Sequence, residues 1–96
     1  MLMLISYDVA MDDGGQKRLR HIAKHCQDYG VRVQYSVFEC DIMPDQWVVL
    51  KDKLLKAYDP DKDSLRFYHL GSKWRGKVEH HGAKKSVDLF QDTLIL

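Results

Sequence analysis

Met1-Leu2-Met3-Leu4-Ile5-Ser6-Tyr7-Asp8-Val9 decides the fold: five apolar residues stand in a row without helical punctuation, and the run soon ends in a carboxylate. A continuous apolar run of this length fits a strand covered on both faces. Asp8 then stands where the strand leaves the core. A carboxylate there loses solvation and needs a cation, a donor or a partner.

Working outward, Ala10-Met11-Asp12-Asp13-Gly14-Gly15 marks a loop and the start of a helix, in which Leu19, Ile22, Ala23 and Cys26 recur at helical spacing. Gly30 is predicted to close that helix as its C′ residue. Val31, Val33, Tyr35 and Val37 share one phase of a two-residue period, whereas Phe38, Cys40 and Ile42 take the other. The phase flip predicts a bulge or tight turn near Ser36 and Val37. Pro44 opens a second helix with Trp47, Leu50, Leu54 and Tyr58 as its apolar stripe, and Asp59-Pro60-Asp61 ends it. A strand follows from Ser64 to Leu70, closed by Gly71, then a weaker one over 74–79, with His80-His81-Gly82 read as a turn and Thr93-Leu94-Ile95-Leu96 as a tail strand.

This order predicts an α+β, ferredoxin-like βαββαβ sandwich, a single domain over 1–96 with both helices on one face of a largely antiparallel sheet. The extra C-terminal strand, at about 91–96, is free to cross to a partner subunit. Because the first strand is apolar on both sides, the helix-free face also needs a cover. The simplest cover is the same face of a second copy, giving a homodimer through the sheet faces.

Fifteen basic against fourteen acidic residues leave a net charge of +1, so only a local basic cluster can draw in a polyanion. Cys26 and Cys40 fit no zinc or redox motif and read as reduced thiols of a cytoplasmic protein. The first apolar run falls far short of the ~20 residues that cross a bilayer and lacks a basic leader, so no membrane partner is expected.

A two-fold axis that brings two Asp8 carboxylates together sets them in repulsion unless a divalent cation between them favours the charged forms. Magnesium suits that place, with manganese as the alternative. It takes oxygen ligands at about 2.0–2.1 Å and keeps several waters, one of which can be the nucleophile of phosphodiester hydrolysis. The plainer alternative is that Asp8 only caps the loop after it. Beyond metal-bound water, Asp12 and Glu39 are the nearest candidates for a general base. Arg18, Arg20, Arg32 and Arg66 are the candidate phosphate contacts, and Tyr7, Phe38 and Tyr68 either stack on bases or line the core. Lys73, Arg75, Lys77, Lys84 and Lys85 form a looser basic region. His21 and His25 have the spacing of zinc ligands but no intervening glutamate, and Gly14-Gly15-Gln16 lacks the lysine of a P-loop, so a solvated helix face and a plain loop are expected.

Several stretches together resemble the CRISPR-associated protein two family: Ile5-Ser6-Tyr7-Asp8-Val9, the first helix with Arg18 and Arg20, Tyr29 to Cys40 with its Gln34-Tyr35-Ser36-Val37-Phe38-Glu39 block, and Asp63 to Leu70. The resemblance implies a ferredoxin-like homodimer, a divalent metal held by Asp8 of both subunits, and metal-dependent endonuclease activity on RNA or DNA, most simply as an endoribonuclease. It also implies a part in spacer acquisition in antiviral defence beside the family's integrase subunit. Tyr7, Arg18, Arg20, Arg32, Ser36, Phe38, Arg66 and Tyr68 match the motif blocks. Beyond residue 70 the match is loose. Two rival readings are a non-catalytic DNA scaffold of the integration complex and a regulatory or toxin module that shares only the topology.

Overall fold

The computed structural model describes residues 1–70 and 78–83. Along the chain run β1 (Leu2–Asp8), α1 (Gly15–Gln27), β2 (Val31–Gln34), β3 (Val37–Asp41), α2 (Pro44–Ala57), β4 (Ser64–Leu70) and β5 (Val78–Gly82). They form an α+β, ferredoxin-like arrangement with one added strand. Its antiparallel sheet has the order β2-β3-β1-β4-β5.

The apolar run takes the middle of the sheet because only there is a strand covered on both faces. Alternation sends Met3, Ile5 and Tyr7 to the helix side, where they pack with Ile22, Cys26, Phe38, Trp47, Leu50 and Phe67. Full burial of each large apolar side chain stabilises the fold by roughly 1.5–3 kcal/mol. Leu4 points the other way and meets Val37 and Tyr68, with Leu70 and Val78 beside them, so the helix-free face carries a second, smaller core. Gln46 reaches back to the N–H of Met43 at 2.9 Å and, with Pro44 in the first turn, sets where α2 begins.

The phase flip at Ser36 and Val37 is a hairpin: Gln34 pairs with Val37 across Tyr35 and Ser36, and a register irregularity lies between Arg32 and Gln34. Two local expectations are corrected. Gly30 is not a left-handed cap, since among the described residues only Gly14 and Gly82 have positive φ. α1 instead closes through the N–H groups of Asp28 and Tyr29 on the carbonyls of Lys24 and Cys26. Gly30 is there for close approach, because a Cβ would strike the Cys40 sulfur and the Glu39 carbonyl. His80-His81-Gly82 is strand rather than turn, for Glu79 pairs with Phe67 and His81 with Leu65. Of the strand expected over 74–79, the described part, 78–79, falls in β5. Residues 74–77, Gly71, the whole of the looser basic region and the tail strand at about 91–96 lie outside the described residues. Among the described residues no helix is long and apolar enough to cross a membrane.

Candidate functional site

Asp8 is the last residue of β1, exposed, and paired with Ser64 at the start of β4. On the other side of β1 the N–H of Tyr7 donates to the carbonyl of Ser36 at 3.1 Å, so the hairpin turn extends the ladder beside Asp8. Ser36 thus acts here through its backbone. Two residues past Asp8, the N–H of Ala10 donates to Asp63 Oδ1 at 3.0 Å. This is the amide an Asx turn at Asp8 would use, and it is taken by Asp63.

Asp63 is fully buried, and its carboxylate also accepts the N–H of Asp59 at 2.9 Å. Arg18 completes the set with Nε to Oδ2 at 2.7 Å and Nη2 to Oδ1 at 3.1 Å, a two-pronged ion pair. The same Nη2 reaches the Ala10 carbonyl at 3.2 Å and Asp12 Oδ1 at 3.0 Å. Burial pushes the Asp63 carboxyl up, but Arg18 and the amides of Asp59 and Ala10 outweigh it and hold its pKa below the ordinary carboxylate range. Lys62 first, and Arg18 with it, likewise depress Asp12. Arg18, expected among the phosphate contacts, is therefore turned inward onto Asp63 and Asp12.

The remaining arginines do not form one patch within a chain. Arg66 is buried on the helix-free face, paired with Ser6 and His80, its guanidinium 5.2 Å from the Tyr68 ring centre. Arg32 lies on the opposite face of edge strand β2, 5.1 Å from the ring centre of Phe38. Arg20 is exposed on α1, where with Met11, Asp13, Gln16 and Lys17 it lines a hollow of about 470 Å³. Alternation across the pleat separates Arg32 from Arg66. Tyr7, Phe38 and Tyr68 are core residues: Tyr7 and Phe38 stack with ring centres 6.2 Å apart, and Tyr68 has no exposure. Burial raises the pKa of the Tyr7 hydroxyl, while nearby Arg32 draws it down.

Asp8 has the hard oxygens a divalent ion prefers. Among the described residues no three His, Cys, Asp or Glu side chains converge as a metal group, His21 and His25 included. Asp8 therefore fits a magnesium ion as the protein ligand of an otherwise water-coordinated site, or as half of a pair of carboxylates from two copies. Asp63 was missed as a site-building residue, although an acid directly before an apolar strand is the same signal that singled out Asp8. Glu79, outside this site, joins β5 to α2. It accepts from Lys51 Nζ at 2.5 Å and lies 3.1 Å from His69 Nε2 and 3.4 Å from His81 Nε2. His80, expected at the surface, has both ring nitrogens buried.

Comparison with known proteins gives one answer. A family model described as CRISPR associated protein Cas2 matches residues 1–78. The chain is 65% identical over 89 residues to the "CRISPR-associated endoribonuclease Cas2" of Nitratidesulfovibrio vulgaris, covering 92% of this chain and 87% of that protein. It is 55% identical over 96 residues to the "CRISPR-associated endonuclease Cas2" of Halalkalibacterium halodurans, covering 99% of each. The crystal structure of Streptococcus pyogenes Cas2 at pH 6.5 superposes with a TM-score of 0.70 and 50% identity, over 82% of this chain and 96% of that one.

Proposed function

The chain belongs to the CRISPR-associated protein Cas2 family, and from that premise we propose that it is a divalent-metal-dependent endonuclease of CRISPR defence, working as a homodimer. The observation that carries the reading is Asp8: an exposed carboxylate at the end of the central strand, on a main chain gripped from both sides. A magnesium ion, or manganese in its place, would supply an activated water and neutralise charge on the phosphoryl oxygens.

Asp8 binds the ion, and a second Asp8 from a two-fold related copy doubles the negative charge that holds it. Arg20 and Lys17 stand exposed on the first turns of α1, and there they hold backbone phosphates without reading sequence. Arg32 adds a cation on the outer strand of the sheet. RNA is the favoured substrate, since a relative 65% identical to this chain is named an endoribonuclease. A name that says only endonuclease leaves DNA as the second substrate to assay. The same homodimer takes part in spacer acquisition beside the family's integrase subunit.

The alternative is a DNA scaffold that does not cut, in which the exposed Arg20 and Lys17 hold phosphates and Asp8 is dispensable. Asp8→Ala separates the two. With RNA and DNA substrates in magnesium, in manganese and in EDTA, the enzyme reading expects cutting to be lost in Asp8→Ala and in EDTA while nucleic-acid binding persists. A scaffold binds equally in all conditions and cuts in none.

A further inference from the structure

Asp63 and Arg18 grip the main chain two residues beyond Asp8. Ser64, joined to Asp63, is the ladder partner of Asp8, and the Asp63 carboxylate holds the Ala10 amide two residues beyond it. Arg18 holds the carbonyl of that same Ala10. The peptide groups flanking Ala10 are thus fixed on both sides by one buried ion pair. Asp63 already accepts four hydrogen bonds, from two backbone amides and from Arg18 Nε and Nη2, and has no solvent exposure. Its valence is filled and it cannot itself be a ligand. The Asp59 amide, and the Asp63 carbonyl bound by Ala83 N–H at 3.0 Å, tie the other end of the device to the loop before β4 and to the end of β5.

We propose that Asp63 and Arg18 form a positioning pair that sets the place of the Asp8 carboxylate, so that the pair governs divalent-metal affinity. The inference rests on the metal reading above. Residues that orient a ligand from behind change metal affinity by about 10–100-fold when altered, because a ligand free to wander must be reordered on binding. Arg18 is then a positioning residue whose fork geometry matters as much as its charge.

The test measures manganese binding by electron paramagnetic resonance on the full chain, at a temperature where circular dichroism shows every variant folded. The parent is compared with Asp8→Ala, Asp63→Asn, Arg18→Lys and Glu79→Gln. Glu79→Gln is a stability control, since it breaks an ion pair on the α2 side of the sheet, away from Asp8. Asp63→Asn should weaken manganese binding about tenfold, Arg18→Lys less, and Asp8→Ala abolish it, with Glu79→Gln at the parent value. In cleavage assays the magnesium concentration at half-maximal rate should rise in the same order. Parent affinity in Arg18→Lys together with a lowered melting temperature overturns the inference even if Asp63→Asn fails to fold. If the parent binds no manganese and does not cut, the metal reading falls. Amide exchange over residues 9–14 then decides the positioning on its own: faster exchange confined there in Arg18→Lys upholds it, and unchanged exchange ends it.

Discussion

At Asp63 a carboxylate with no solvent exposure is satisfied by two amides and a two-pronged guanidinium, and removing it strands the Ala10 and Asp59 donors and leaves Arg18 with Asp12 as its carboxylate partner. Breaking a buried pair by deleting one partner typically costs about 3–5 kcal/mol. Asp63→Ala should therefore lose about 3 kcal/mol or more in urea unfolding, whereas Arg20→Ala, altering an exposed side chain, should stay within about 0.5 kcal/mol. The cysteines give a second residue-scale outcome. Both are fully buried; burial pushes the Cys26 thiol well above its usual range and lifts Cys40 to about 11. The thiolate is the reactive form, so neither should react with a thiol reagent at pH 8 on the time scale in which the urea-unfolded chain reacts completely.

Among the elements, β5 is held to α2 by charge rather than by apolar packing alone. Burial pushes the Glu79 carboxyl up, but Lys51, His69 and His81 outweigh it and bring it from the usual 4.5 down to about 2. As pH falls the unfolded chain takes up this proton first, so the contact's full contribution holds above about pH 4.5 and disappears as pH approaches 2. Glu79→Gln should lose about 1 kcal/mol at pH 7, solvent screening keeping it small, and should converge with the parent near pH 2 in thermal melts. β5 also shows where local reading fails. β1, α1, the β2–β3 hairpin, α2 and β4 announce themselves through period and turn residues. Val78–Gly82 carries Glu79, His80 and His81, which read as surface until Lys51, 28 residues away, is brought to meet Glu79. The same holds at the site. The place of Asp8 at the end of β1 was legible from its neighbours alone, but the inward turn of Arg18 depends on Asp63, 45 residues on.

For the whole molecule, a net charge of +1 means that affinity for a polyanion comes from local cations and from doubling the surface in a dimer. Arg20→Ala should weaken binding of RNA or DNA to a similar extent across sequences and lower the slope of log affinity against log salt by about 1 per copy bound. Filter binding at several salt concentrations reads this directly. Sedimentation velocity should show the chain as a dimer at micromolar concentration, since the proposed site draws one carboxylate from each copy.

β1 lies between β3 and β4, and both of its ladders are made with chain that follows it by dozens of residues. During synthesis at the ribosome, the segment carrying Asp8 emerges well before either neighbour exists to receive it, and such distant pairings form late. Until residue 64 has cleared the exit tunnel, one flank of that segment stays open. A nascent protein released early therefore has the acid but not the frame around it, and maturation of the centre waits on the second half of translation.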